Sequence, residues 1–271
     1  MTVRTPIKPP ALKKGDLIGI MSPSSVTEKA DLEPGLEILR RRGFAVYVHP
    51  QTYLRNKSAA GTEAQKSAAL KDLFTNKDIK AVFAAGGGNH ALFLLPESVD
   101  YAMIRRNPKI VMGFSDTTAL LNAFNARSGL TTFHGPVVKW MPGMRGLDLT
   151  FALLAGEEVA YPMEKAAVFR GGSATGRMIG GNLTLMNYLS GTQYMPDARG
   201  AVAFDRVLYA LPGQAFPFIR NVSFALDPGE TLAVIGPPAA GLAPVRRAGG
   251  RATTASTAYS WTVPRSTRGI T

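Results

Sequence analysis

Residues 109–122 read KIVMGFSDTTALLN, an apolar run that reaches Ser115 between Phe114 and Asp116 and continues with helical spacing. A strand that bends sharply into a helix with a serine at the apex pushes that serine's Oγ out of the sheet. The same bend aims the first helical N–H groups at a developing oxyanion. On this reading Ser115 is a nucleophile. On the other, Ser115 or Asp116 caps the helix that starts near Thr117, because Ser and Asp are preferred capping residues and a strand, a cap and a helix make up almost any βα unit. The local pattern leaves both open.

Upstream of this turn the chain alternates between the two periodicities. Apolar runs at Asp16–Ser22, Phe44–His49, Ile79–Ala85 and Ile110–Phe114 predict strands, and the segments Leu32–Arg42 and Thr62–Phe74 predict helices. A further helix is expected after His90, running into Leu94, Leu95 and Pro96. Strands alternating with helices of about 10–15 residues predict a parallel sheet covered on both faces. In such sheets ligands bind beyond the carboxyl ends of the strands. That rule gathers Ser22–Ser25, Gly86–His90 and Ser115 along one sheet edge. The triplet Gly86, Gly87 and Gly88 reads either as a flexible turn needing positive φ or as backbone offered closely to a ligand. It lacks the spacing of a dinucleotide fingerprint.

Composition narrows the chemistry. The 271 residues contain no cysteine, which excludes disulfides, thiolate zinc sites and thiol nucleophiles. Hydrophobic residues make up 45% of the chain, enough for cores of ordinary domains. The opening MTVRTPIKPP is followed by no apolar h-region, and no window approaches the roughly 18 apolar residues of a membrane span, so a cytoplasmic location is the expectation. A net charge of +12 raises the question of nucleic acid, but the arginines are scattered and no aromatic-interleaved basic stripe is present. Nucleic acid is therefore not an expected partner. No constellation of metal ligands is seen, and no cofactor is expected.

Five stretches taken together are more specific than any alone: LKKGDLIGIMSPSS (12–25), the glycine turn with its LLP (86–96), NPKIVMGFSDTTAL (107–120), TFHGP (132–136) and GRMIGGNLTLMNYLSGTQYMPD (176–197). In this order they resemble the LD-carboxypeptidase family of serine peptidases, which includes muramoyltetrapeptide carboxypeptidases and microcin-immunity hydrolases. The resemblance implies a Ser…Glu…His triad in chain order, with Ser115 as nucleophile. It also implies an oxyanion hole made by the N–H of Asp116 and a backbone N–H of the Gly87 and Gly88 turn. His134, in a motif near the family's site, reads either as structural or as substrate-facing, His90 after the glycine turn would line the pocket, and His49 at a strand end is expected at the surface. The implied substrate is a tetrapeptide muropeptide losing its terminal D-alanine in peptidoglycan recycling, or alternatively a microcin-like acyl-adenylate. A homodimer is implied as well.

The sequence departs from that pattern downstream. The family's Glu and His follow the GTQYMPD segment, whereas here no Glu lies between Glu164 and Glu230 and no His follows His134. Asp205 is the nearest carboxylate. Residues 200–241 resemble instead the start of an ABC-transporter ATPase domain, but a P-loop needs Lys and Ser/Thr where Leu242 and Ala243 stand. The last 36 residues hold five arginines and no acidic residue, the texture of a frameshifted reading. The codons TGG ACG GTG CCG AG for residues 261–265, read one base earlier after a C, give LDGAE, a phrase typical of ABC domains.

The expected architecture is thus α/β. A flavodoxin- or Rossmann-like parallel-sheet domain spans 1–140 and carries the nucleophile, and a linker covers 141–175. A truncated second α/β domain begins at 176–199, an ABC-like fragment spans 200–241, and a non-native-looking tail runs over 242–271. The expected function is an LD-carboxypeptidase-like serine hydrolase impaired by loss of its triad Glu and His, or an inactive fusion fragment.

Overall fold

The computed structural model describes residues 6–95, 98–159 and 177–198, together with strands at 201–202, 207–209, 219–222, 231–235 and 258–262. The chain divides into two units, residues 1–161 with 180–196, and residues 162–179 with 197–271.

The first unit is built on five parallel strands in the order β2-β1-β3-β4-β5, which is the flavodoxin-like order. They are β1 (Leu17–Met21), β2 (Ala45–Val48), β3 (Ile79–Ala84), β4 (Ile110–Gly113) and β5 (Phe133–His134). The helices α1 (Lys29–Arg41), α2 (Glu63–Thr75), α3 (Tyr101–Arg106), α4 (Thr118–Ser128), α5 (Leu147–Leu154) and α6 (Leu183–Leu189) surround it. β3 and β4 are buried along most of their length because helices cover both faces, which is why they read as continuous apolar runs rather than alternating ones.

Alternation persists in where the side chains go. Met21, Ile79, Val82 and Val111 join one core with α2, α3 and α4, whereas Ile18, Ile20, Ala81, Phe83, Ile110 and Met112 join the other with α1 and α5. The edge strand β2 shows the opposite texture, half-buried and exposed by turns.

Two expectations differ from the structure. Residues 91–94 form a single 3-10 turn rather than a helix. The stretch placed in a linker contains α5, whose Leu147, Phe151 and Leu154 lie in the second core, and α6 brings Leu189 into the first. Both helices are short and are held by the cores they complete, so local sequence signals them weakly.

In the second unit, β6 (Arg177–Met178) pairs parallel with β7 (Ala201–Val202). β8 (Val207–Tyr209), β9 (Ile219–Val222), β10 (Thr231–Ile235) and β11 (Ala258–Thr262) form an antiparallel sheet. Asp205, Leu242, Ala243 and most of the ABC-like stretch and the tail lie outside the described residues.

Candidate active site

The topology places the switch point of the sheet between β1 and β3, the crevice where ligands settle in folds of this order. Beyond β1 lie Ser22–Ser25, beyond β3 the glycine turn, and beyond β4 the Ser115 turn.

β4 ends at Gly113 and Phe114 stays extended, after which Ser115–Thr117 make a 3-10 turn that leads into α4. Ser115 has a φ of +57°, and Lys57 is the other non-glycine residue with positive φ among those described. A serine in this region is strained, and such strain at a strand-to-helix bend is what a nucleophile elbow stores. Gly113 makes the bend possible, because a Cβ there would lie 2.7 Å from Thr117 Cγ2.

The capping alternative can be read off the side chains. Neither Ser115 nor Asp116 caps the helix. Ser115 Oγ is half-buried and makes no hydrogen bond among the described residues. The Asp116 carboxylate instead reaches sideways, where Oδ2 accepts from Ser24 Oγ at 2.5 Å and from Ala91 N–H at 2.7 Å. Ser24 Oγ in turn accepts from His90 N–H at 3.0 Å. One buried carboxylate therefore ties the end of β1, the glycine turn and the Ser115 turn together.

The glycine turn faces the serine. A Cβ built on Gly87 would sit 3.4 Å from both Cβ and Oγ of Ser115, at ordinary contact. Gly88, with φ +146°, is pressed against the segment that follows β1, and a Cβ there would meet Ser25 Oγ at 2.2 Å and Ser24 Oγ at 2.4 Å. Gly87 O accepts from Ser25 N–H at 3.3 Å, while the N–H groups of Gly87 and Gly88 donate to no backbone carbonyl among the described residues. The N–H of Asp116 falls in the first turn of a helix, where such groups have no intrahelical acceptor. These are the donors an oxyanion would need.

The histidines are distributed differently. His90 follows the glycine turn with its Nε2 2.9 Å from Ser58 Oγ and its ring 6.4 Å from Phe93. His134 is the register partner of Gly113 on β5 and meets Phe114 edge-on at 6.5 Å. His134 is exposed on β5, and the atoms packed around its ring lower its pKa. His49, expected at the surface, is half-buried, and its Nδ1 accepts from Gln51 N–H to cap the 3-10 turn Pro50–Tyr53. No imidazole and no carboxylate hydrogen-bonds Ser115 Oγ among the described residues. No group of three or more His, Cys, Asp or Glu among those residues is placed to hold a metal ion. No helix among them is long and apolar enough to cross a membrane.

Residues 18–135, which span β1 to β5 and every group just described, match the model of the LD-carboxypeptidase N-terminal domain. A putative carboxypeptidase of Streptomyces coelicolor is 31% identical over 209 residues, covering 74% of this chain and 67% of its own. A probable murein peptide carboxypeptidase of Bacillus subtilis is 33% identical over 204 residues. The alignment covers 73% of this chain and 64% of the Bacillus protein. Among solved structures, the microcin C7 self-immunity protein MccF in complex with aspartyl sulfamoyl adenosine superposes with a TM-score of 0.65. It is 30% identical, over 73% of this chain and 70% of its own.

The chain belongs to the LD-carboxypeptidase family.

Its matched domain contains all six residues singled out from sequence. The structure brings Ser115, Asp116, Gly87, Gly88 and His90 to one crevice and sets His134 on the neighbouring strand behind Phe114. What sequence reasoning missed in this family member is where the Asp116 carboxylate goes, since it was weighed only as a helix cap, and the specific part of Ser24. The signal available was an Asp directly after the elbow serine and a serine cluster after β1. Their pairing across 92 residues is a tertiary fact.

Proposed function

We propose that this chain carries the nucleophile half of a serine carboxypeptidase that attacks the L,D-peptide bond before a terminal D-alanine in tetrapeptide muropeptides. Ser115 Oγ adds to the scissile carbonyl carbon and gives its proton to solvent water, which in turn protonates the departing amine. The carbonyl oxygen takes the negative charge against the N–H groups of Asp116 and of the Gly87–Gly88 turn. Collapse expels the D-alanine amine and leaves an ester on Ser115, which water then hydrolyses. The observation that carries this reading is the strained, unbonded Ser115 facing Gly87 inside the matched family domain. A cytoplasmic place and a homodimer are part of the same proposal.

The serine needs a base and a group to orient it. The 271 residues supply no His after His134 and no Glu between Glu164 and Glu230, so turnover by this chain is impaired relative to the family's full triad. Triad members act as a unit, and removing one from an already incomplete set changes turnover little. Covalent labelling is therefore the discriminating measurement. A fluorophosphonate followed by intact-mass and peptide mapping is expected to modify Ser115 in the wild type and to leave Ser115→Ala unmodified. D-alanine release from the muropeptide stays at background in both. Equal labelling of the two proteins, or labelling at another serine, overturns the proposal. The likeness to MccF favours a second substrate, an acyl-adenylate analogue, offered to the same nucleophile in the same assay.

A further inference from the structure

The pairing of β3 with β4 ends at Phe83 and Met112. Beyond it no sheet ladder sets the distance between the glycine turn and the Ser115 turn, so side chains must set it. The backbone of the glycine turn is held at Gly87 O, which accepts from Ser25 N–H at 3.3 Å, and at the two successive N–H groups of His90 and Ala91. His90 N–H donates to Ser24 Oγ at 3.0 Å, and Ala91 N–H donates to Asp116 Oδ2 at 2.7 Å.

The direction of these bonds is fixed by chemistry. A backbone N–H can only donate, so Ser24 Oγ receives the His90 N–H and turns its single proton to Asp116 Oδ2, 2.5 Å away. Two neighbouring N–H groups thus end on one oxygen, one directly and one through a hydroxyl. Ser24 is 0% exposed and Asp116 3% exposed, so water does not compete for either partner. Asp116 therefore acts on both sides of the crevice. Its own N–H opens the turn into α4, and its side chain fixes the chain that leaves the glycine turn. In the proposed hydrolysis the oxyanion donors come from Asp116 and from Gly87–Gly88. One residue supplies the first donor and, with Ser24, sets the distance to the second.

We propose that Ser24 and the Asp116 side chain are positioning residues, a buried hydroxyl–carboxylate pair that clamps the N–H groups of His90 and Ala91 and so holds the Gly87–Gly88 donors opposite Ser115 Oγ. Neither side chain hydrogen-bonds Ser115 among the described residues. The consequence for hydrolysis rests on the nucleophile reading of Ser115, whereas the clamp itself does not, and the test separates the two.

Amide hydrogen exchange, resolved at His90 and Ala91, is measured on the full chain for wild type, Ser24→Ala, Asp116→Ala, Asp116→Asn and the double alanine variant. Asp116→Ala is expected to speed exchange at both amides at least about tenfold while the amides of β1 and β3 keep their protection. Ser24→Ala speeds His90 by a similar factor and Ala91 by less, because the Ala91 bond to the carboxylate is direct. Asp116→Asn keeps an oxygen that accepts both bonds but loses the charge that strengthens them, and falls between wild type and Asp116→Ala. The double variant exceeds Asp116→Ala by less than the factor Ser24→Ala produces alone, since the two side chains act as one unit. In fluorophosphonate labelling, the limiting rate at Ser115 falls at least about tenfold in Ser24→Ala and Asp116→Ala while the half-saturating reagent concentration is unchanged, because the donors hold the phosphoryl oxygen in the transition state.

Wild-type exchange at His90 and Ala91 in both single alanine variants, a uniform acceleration across the core, or effects that multiply in the double variant overturn the clamp. Altered exchange with a wild-type labelling rate overturns its bearing on the donors. If Asp116→Ala does not fold, Ser24→Ala and Asp116→Asn are read against the same outcomes. A wild type that does not label at Ser115 defeats the hydrolase reading, and the exchange pattern still decides the clamp.

Discussion

Ser115 and Gly88 are the two residues at which backbone geometry and chemistry meet most directly. Ser115 accepts a left-handed conformation that serine disfavours, and Gly88 accepts one that a side chain would forbid. Replacing Gly88 with alanine would drive a methyl group into Ser24 and Ser25, the former being one of the two donors to Asp116. Gly88→Ala is expected to lower stability by about 1–3 kcal/mol and to slow phosphonate labelling of Ser115 at least about tenfold. Urea denaturation and labelling kinetics on the same preparation check both numbers. From sequence, the serine was legible only through the five motifs taken together, because an apolar run ending in Phe-Ser-Asp before helical spacing fits a helix cap as well. The role of the Asp116 side chain was not, because a carboxylate after a serine also fits a helix cap and only its distant partners decide between them.

Among the elements, α2 is the one most fully specified by its own residues. Thr62 Oγ1 accepts from Gln65 N–H at 3.3 Å while Gln65 Oε1 accepts from Thr62 N–H at 2.8 Å, a reciprocal capping box. The observed start at Glu63 follows from that pair. Thr62→Ala is expected to destabilise the protein by about 1 kcal/mol, read as a shift in the urea midpoint at unchanged slope. The 3-10 turn at 91–94 shows the reverse case. Its residues ALFL have helical character, but Pro96 follows closely, and the first N–H is taken by a carboxylate from another element. α5, α6 and the two-residue β5 were illegible for a related reason. Each is too short to be stable alone and exists because a core needs its side chains.

At the scale of the whole first unit, the two cores on either face of the sheet carry the stability. Phe74 and Phe124 are both fully buried and meet edge-on with ring centroids 6.0 Å apart, joining α2 to α4. Phe124→Ala is expected to cost about 3–5 kcal/mol, measurable by denaturant unfolding. A second whole-molecule effect comes from Lys109, 5% exposed, whose Nζ donates to Leu73 O at 2.8 Å and to Asn76 O. Burial, with the nearby charges of Lys77 and Lys80, pushes its pKa down to about 8. Between that value and the ordinary lysine range the unfolded chain binds more protons than the folded one, so folding becomes more favourable as pH rises through this window. The stability of wild type relative to Lys109→Met is expected to increase from pH 8 to pH 10, by up to about 3 kcal/mol. A flat or falling difference contradicts the assignment. By itself the sequence determined the periodicities and the parallel α/β class, because these follow from side-chain spacing within a few residues, and it singled out Ser115 only through the order of five motifs along the chain. Only the tertiary structure decided that Asp116 binds Ser24 and Ala91, and that α5 and α6 complete the first unit. Those contacts join positions tens of residues apart, and their energies exist only once the chain has closed around them.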